Sequence, residues 1–234
     1  MAYLTYNGQF LRTPDTSLYL DAIGVASMPL YYWPLDNSLN EIVQGNNLKN
    51  YNLPPEFTHD APNGTSYSFV ERSSNYINEC WYTDVSSLSN GSISKSFSVS
   101  WRYKNTNTPT AFSNALIGFG STSPALSQFL FYEDAGKYKI RSWSPFGGSP
   151  WTYILPNSII WNHIVFVGYT SSNLIKIYIN SILVNTTSTD VGILNGQAVI
   201  GNFQYLSTVR LANIRLYNRA LLDTEIVNIY NSKS

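Results

Sequence analysis

The chain has 234 residues, 44% of them hydrophobic and 15% aromatic, which suits one all-β domain with a large core. Only 12% are charged, about half the usual ~25%, and fourteen basic residues balance fourteen acidic ones. That balance leaves no electrostatic footprint for nucleic acid or an anionic membrane, and no stretch reaches the ~18 apolar residues of a membrane span. The polar surface must therefore be built from Ser, Thr, Asn and Tyr, a set that binding loops use for adaptable contacts and that any uncharged β-rich chain also carries. Cys80 is the single cysteine, so no intrachain disulfide forms. The start, Met-Ala-Tyr-Leu-Thr-Tyr-Asn-Gly, lacks a basic region followed by an apolar one, and folding in a cytoplasm is expected. Asn63-Gly-Thr, Asn90-Gly-Ser and Asn185-Thr-Thr match glycosylation acceptors and read by default as turns.

In chain order, Tyr3 to Tyr6 and Gln9 to Leu11 flank Asn7-Gly8, the centre of a two-residue hairpin. Residues 12–28 mix turn formers with apolar residues, too apolar for a disordered tag and too short to fold alone. Residues 1–30 thus read as an N-terminal arm that packs on its own domain or on a partner subunit. The domain proper, 31–234, opens with Tyr31-Tyr-Trp-Pro-Leu-Asp36 and a Gly/Asn-rich loop. Strands are expected at Gly64–Phe69 and Asn75–Ile77. The alternation of Phe97, Val99 and Trp101 puts one face of Ser96–Tyr103 in a core. Leu116–Gly120 and Gln128–Tyr132 are further strands, and Glu133-Asp-Ala-Gly136 is a turn into Lys137–Ile140.

A second hairpin is expected between Arg141-Ser-Trp143 and Trp151-Thr-Tyr-Ile154, joined by a Gly/Pro-rich loop that carries Phe146. In Trp161–Tyr169, His163, Val165 and Val167 share one strand face and Ile164 and Phe166 the other, so this strand is central and covered on both sides. A polar turn leads to Leu174–Asn180, where Ile175, Ile177 and Ile179 alternate with polar positions. Ala198–Gly201 and Val209–Tyr217 close the sheets. Asp223 and Glu225 suit a helix first turn, and Ile226, Ile229 and Tyr230 recur at helical spacing.

Trp161-Asn-His163-Ile-Val165, then Leu174-x-x-x-Tyr178-x-Asn180-x-x-Leu183-Val184, and finally Arg215-x-Tyr-Asn-Arg-Ala-Leu221, resemble the laminin-G-like jelly rolls of the concanavalin A-like lectin/glucanase superfamily. The resemblance implies an all-β, antiparallel two-sheet jelly-roll sandwich with a short C-terminal helix. Two departures stand out. Asn162 replaces the family's first His, and Ser181 replaces the Gly of the Asn-Gly turn, where a positive φ costs Ser more than Gly. The family's rim Ca²⁺ site maps onto Asp36, while Ala212 and Asn213 stand where paired aspartates are common. The weak Ca²⁺ site this leaves would use Asp36, Asn213 and backbone oxygens, and no other cofactor is implied.

Fold does not settle function, so the chemistry must be weighed by residue. Glycoside hydrolysis needs two carboxylates flanking the bond, about 5 Å apart in a retaining enzyme. No strand here offers acid-x-acid. Glu133 and Asp134 are adjacent, Asp223 and Glu225 start a helix, and Glu71 and Glu79 stand alone. His163 reads as a core strand residue before it reads as part of a Ser-His-Asp set. Sugar binding needs aromatic faces, and Trp143, Phe146, Trp151 and Tyr153 around the Gly/Pro loop are the candidate ligand site. Alternatively, Trp143 and Trp151 form a cross-strand pair, worth ~0.2–1 kcal/mol, that only supports the hairpin. The expectation is a non-catalytic lectin-like binding module on a phage virion surface, as a head-decoration or fibre protein. Its partners would be host glycans or neighbouring virion subunits, with a homo-oligomer compatible and no nucleic acid or membrane insertion. A microbial carbohydrate-binding module is the alternative, and a glycoside hydrolase the third reading.

Overall fold

The structure, a computed structural model, describes residues 5–6, 9–10, 28–35, 38, 40–45, 47–48, 56–58, 67–69, 81–84, 96–105, 114–119, 129–135, 137–142, 151–156, 159–189, 191, 197–200 and 209–232. β1 (Thr5–Tyr6) and β2 (Gln9–Phe10) pair antiparallel around Asn7-Gly8, as expected. Among the described residues the other strands form two antiparallel sheets. One contains β6 (Trp81–Asp84), β8 (Asn114–Phe119), β9 (Phe129–Asp134), β10 (Lys137–Ser142), β11 (Trp151–Ile154) and β15 (Gln197–Ile200). Its order is β11-β10-β9-β8-β15-β6.

The second holds β4 (Glu56–Thr58), β5 (Tyr67–Phe69), β7 (Phe97–Asn105), β12 (Asn162–Tyr169), β13 (Leu174–Ile179), β14 (Ile182–Ser188) and β16 (Val209–Tyr217). They run in the order β14-β13-β12-β7-β16-β5-β4, and β3 (Tyr31–Trp33) pairs with β16 beside β5. Among the described residues one helix, α1 (Asp223–Asn231), follows. The expected two-sheet sandwich with a short C-terminal helix is the fold. The expected strand at Asn75–Ile77 lies outside the described residues.

Period-two alternation explains the two layers on the larger sheet. Phe97, Val99, Trp101, Tyr103, Ile164, Phe166, Ile175, Ile177, Leu211, Ile214 and Leu216 enter the core between the sheets. Phe129 and Phe131 meet them from the smaller sheet, with Trp101–Phe131 centroids 5.2 Å apart and Phe129–Phe166 5.1 Å apart. Such ring pairs are worth about 0.5–1.5 kcal/mol each beyond the area they bury. The opposite face of the larger sheet buries Tyr32, Val165, Val167, Tyr178 and Tyr217 against Leu221, Ile226 and Ile229 of the helical segment. The strand β12 is therefore central and covered on both sides, with β7 and β13 as neighbours.

A bulge in β16 sets which of its side chains face where. Ala212 pairs with Arg102 and Arg215 with Ser100, so Asn213 and Ile214 together oppose Trp101. Asn213 absorbs the extra residue at φ +53°. The alternation then restarts one residue late, sending Ile214 and Leu216 into the core and Arg215 and Tyr217 to the helix side.

Three local expectations change. Glu133 and Asp134 remain in β9 opposite Tyr138 and Lys137, so these two residues belong to the strand and not to a turn. Asn185 lies inside β14 opposite Ile177, where ladder pairing replaces a turn. Trp151 pairs with Ser142, so this register does not set Trp143 and Trp151 opposite one another.

Candidate functional site

Buried polar groups lie beneath α1, His163 among them. His163 is 1% exposed, and its Nε2 lies 2.7 Å from Ser100 Oγ. Its ring stacks on Tyr230 of α1 at 6.0 Å. Burial, reinforced by Arg102 and Arg215, holds the imidazole well below its ordinary pKa, so it is neutral. A nucleophilic serine needs a base oriented by a third group and open to substrate. Here Nδ1 has no hydrogen-bond partner among the described residues, and the helix closes the approach. Ser100 and His163 form a core contact, not a reactive pair.

Glu41, Asp134, Asp223 and Glu225 are likewise engaged in structure. Glu41 accepts the backbone N–H groups of Tyr32, Val43 and Gln44 at 2.8, 2.8 and 2.6 Å. Asp223 accepts from Tyr178 Oη at 2.6 Å, and Glu225 holds Arg219 in a two-pronged pair while capping the Leu222 N–H. Asp134 pairs with Lys139 at 2.6 Å.

For the Ca²⁺ expectation, Asp36 lies outside the described residues. Asn213 is buried in the bulge, where its Oδ1 accepts the Tyr32 hydroxyl at 2.9 Å and its N–H donates to the Pro34 carbonyl. This amide serves the bulge. Among the described residues no three His, Cys, Asp or Glu side chains group as metal ligands.

Of the expected sugar-binding residues, Trp143 and Phe146 lie outside the described residues. Tyr153 is half-buried, pairs with Ile140 and packs on the core. Trp151 occupies the first position of β11, opposite Ser142. The two segments do pair as an antiparallel hairpin, as expected, in a register that sets Arg141 opposite Thr152 and Ser142 opposite Trp151.

On the side of β9, β10 and β11 that points away from the core, Leu130 is buried, and the other described side chains of β10 and β11 and Tyr132 and Asp134 of β9 are partly or fully exposed. On β10, Tyr138, Ile140 and Ser142 are buried, which leaves Lys137, Lys139 and Arg141 on the outer face. Register brings Tyr132 opposite Lys139 and Leu130 opposite Arg141. The Arg141 guanidinium lies 5.5 Å from the Tyr132 ring centroid, an attraction worth about 0.5–1 kcal/mol where water reaches it. Partial burial lowers the Arg141 pKa, and the Tyr132 phenol offsets part of that. On β11, Thr152 and Ile154 are exposed beside Arg141 and Lys139. Sequence reading passed over Tyr132, Lys139 and Arg141. Their alternation in Lys137-Tyr-Lys-Ile-Arg-Ser142 was legible, but the stacking of Arg141 on Tyr132 needed the strand register.

A family model from the concanavalin A-like lectin/glucanases superfamily matches residues 81–227, more than half of the chain. The chain belongs to this superfamily. The span runs from β6 into α1 and takes in the smaller sheet and, of the larger sheet, β7, β12, β13, β14 and β16, leaving out β3, β4 and β5. No curated protein sequence matches it. Among solved structures, the receptor binding domain of botulinum neurotoxin D is similar at a TM-score of 0.65 and 12% identity, over 87% of this chain and 52% of that one. The binding domain of Paraclostridial Mosquitocidal Protein 1 gives 0.63 and 17%, over 82% and 49%. The botulinum neurotoxin serotype D ligand binding domain in complex with N-acetylneuraminic acid gives 0.63 and 13%, over 89% and 52%. The concanavalin A-like chain thus spans about half the length of each, and at these identities the likeness is one of fold.

Proposed function

We propose that the chain is a non-catalytic, lectin-like module that binds glycans through the outer face of β9, β10 and β11, with Trp143 and Phe146 as further ligand-binding residues. One observation carries the reading. The face pointing away from the core presents a Tyr132 ring, hydrogen-bonding cations and the apolar Ile154, while Glu41, Asp134, Asp223 and Glu225 are tied up in structural bonds. Ring faces and planar donors are what pyranose recognition requires, and hydrolysis would need two free acids. The likeness in fold to toxin binding domains agrees with a binding role.

Display on a virion surface is the further part of the reading, with residues 1–30 as the attaching arm. In its favour, β1 and β2 make a two-stranded sheet of their own. A glycan array probed with the full chain and with Tyr132→Ala and Trp151→Ala tests the glycan reading. Selective binding that falls at least about tenfold in Tyr132→Ala is expected. Silence across the array, or hydrolysis of a bound glycan, would sink it.

A further inference from the structure

His163, Val165 and Val167 share the face of β12 that α1 covers, and the imidazole lies under Tyr230, near the end of the helix. The ring is fully enclosed, with Nε2 taken by Ser100 Oγ and Nδ1 without a partner among the described residues. The groups set against it are Ser100 and Arg102 from β7, Arg215 from β16 and Tyr230 from α1, while Asn180 in the turn after β13 holds its backbone N–H. None of these is a carboxylate. Asp223 and Glu225, the acids of α1, stand in its first turn, bonded to Tyr178 and Arg219. A proton added to the ring would make a buried cation beside two guanidinium groups, with no acid in contact to offset it.

Movement of α1 is what relieves that cost. The helix has nine residues, too few to persist in water without packing. It is attached to the sheet by the Ile226 and Ile229 side chains, the Tyr178–Asp223 bond and the bonds from Arg102 to the Tyr230 and Ser232 carbonyls. The ladders joining β7, β12, β13 and β16 include no residue of α1, so the sheet keeps its pairing when the helix leaves. Such terminal elements open below the cost of global unfolding. Opening would hydrate His163 and restore its ordinary affinity for protons. We infer that α1 is an acid-released latch: in mild acid a proton taken up by His163 frees the helix and uncovers Val165, Val167, Tyr178 and Tyr217, while the sandwich stays folded.

Hydrogen exchange of the full chain at about pH 7.5 and about pH 5, corrected for intrinsic exchange rates, tests the latch. With His163 titrating near ~6.5 once exposed, protection of the Ile226–Asn231 amides should fall about thirtyfold between the two, whereas hydrated carboxylates, titrating near ~4, add less than about twofold. At both pH values these amides should be less protected than those of β12 and insensitive to low urea, as local opening requires. In His163→Gln the fall should shrink to under about twofold. If that variant fails to fold, the wild-type contrast between α1 and β12 still decides. Protection of α1 equal to that of β12 would leave global unfolding as the sole route and overturn the latch. So would α1 protection that ignores pH, or an undiminished fall in His163→Gln.

Discussion

His163 shows how one residue can couple the fold to pH. Its imidazole is held neutral by burial and by Arg102 and Arg215, so its folded pKa lies well below 6.5. From β7 it faces Ser100 and Arg102, from β16 Arg215, from α1 Tyr230, and from the turn after β13 Asn180 meets its backbone. As pH falls below about 6.5, the unfolded chain takes up this proton before the folded one does. The contribution is therefore complete above that pH and lost as pH drops toward the folded value, by up to ~1.4 kcal/mol per pH unit. Urea midpoints at about pH 7.5 and about pH 5 should differ more in wild type, with the pH 5 value the lower, than in His163→Gln. Equal pH slopes in the two proteins would refute the assignment.

At the scale of an element, the β13–β14 hairpin turns on two residues that sequence reading had singled out. Asn180 and Ser181 have φ of +51° and +67°, the pair of positive angles of a type I′ turn. Asn180 fits because its amide is used locally. Its Oδ1 accepts the His163 N–H at 2.9 Å and its Nδ2 donates to Asn162 Oδ1 at 3.0 Å. Asn162, standing where the family has a histidine, continues the ladder to the Ile160 carbonyl. Ser181 carries a Cβ into the left-handed region with no such bond among the described contacts, at a cost of roughly 1–2 kcal/mol. Ser181→Gly should stabilise the protein by about 0.5–1 kcal/mol after the glycine's extra unfolded-state entropy is subtracted. A denaturant midpoint that falls would show the strain to be absent.

Helix α1 is the other element with a defined job. Arg219 and Glu225 brace its first turn, and Arg102 Nη2 donates to the Tyr230 and Ser232 carbonyls at its end, at 2.8 and 3.3 Å. A cation at a helix C-terminus satisfies carbonyls that have no partner within the helix. The helix is thereby held at both ends over Val165 and Val167.

For the whole molecule, the question is where the arm stops. Met28 is 7% exposed, and Leu30 donates its N–H to the Leu216 carbonyl, so residues 28–30 already pack with the sandwich. Removing residues 1–24 should shift the calorimetric unfolding midpoint by no more than about 2 °C, equivalent to under ~1 kcal/mol for a domain of this size. A larger fall would mean that the arm is part of the core and would count against its use as an attachment.

Alternation and turn chemistry are local, and so β12, β7, β16, the Asn180-Ser181 turn and α1 could be read from the sequence alone. The two-face burial of β12 was legible for the same reason, since His163-Ile-Val-Phe-Val167 carries a core residue on each side. Short strands such as β4 and β6 have too few residues to show a period, and pairing across long loops creates them. The same limit hid the outer face of β9, β10 and β11. The cations of β10 were visible in the chain, but their placement on the outer face, with Arg141 over Tyr132 and Trp151 opposite Ser142, follows from register between separate strands. Sequence by itself determined the sandwich, because burying a β-rich, aromatic, disulfide-free chain calls for two alternating sheets. Tertiary structure alone decided which polar residues share a surface, because only strand pairing converts distance along the chain into neighbours in space.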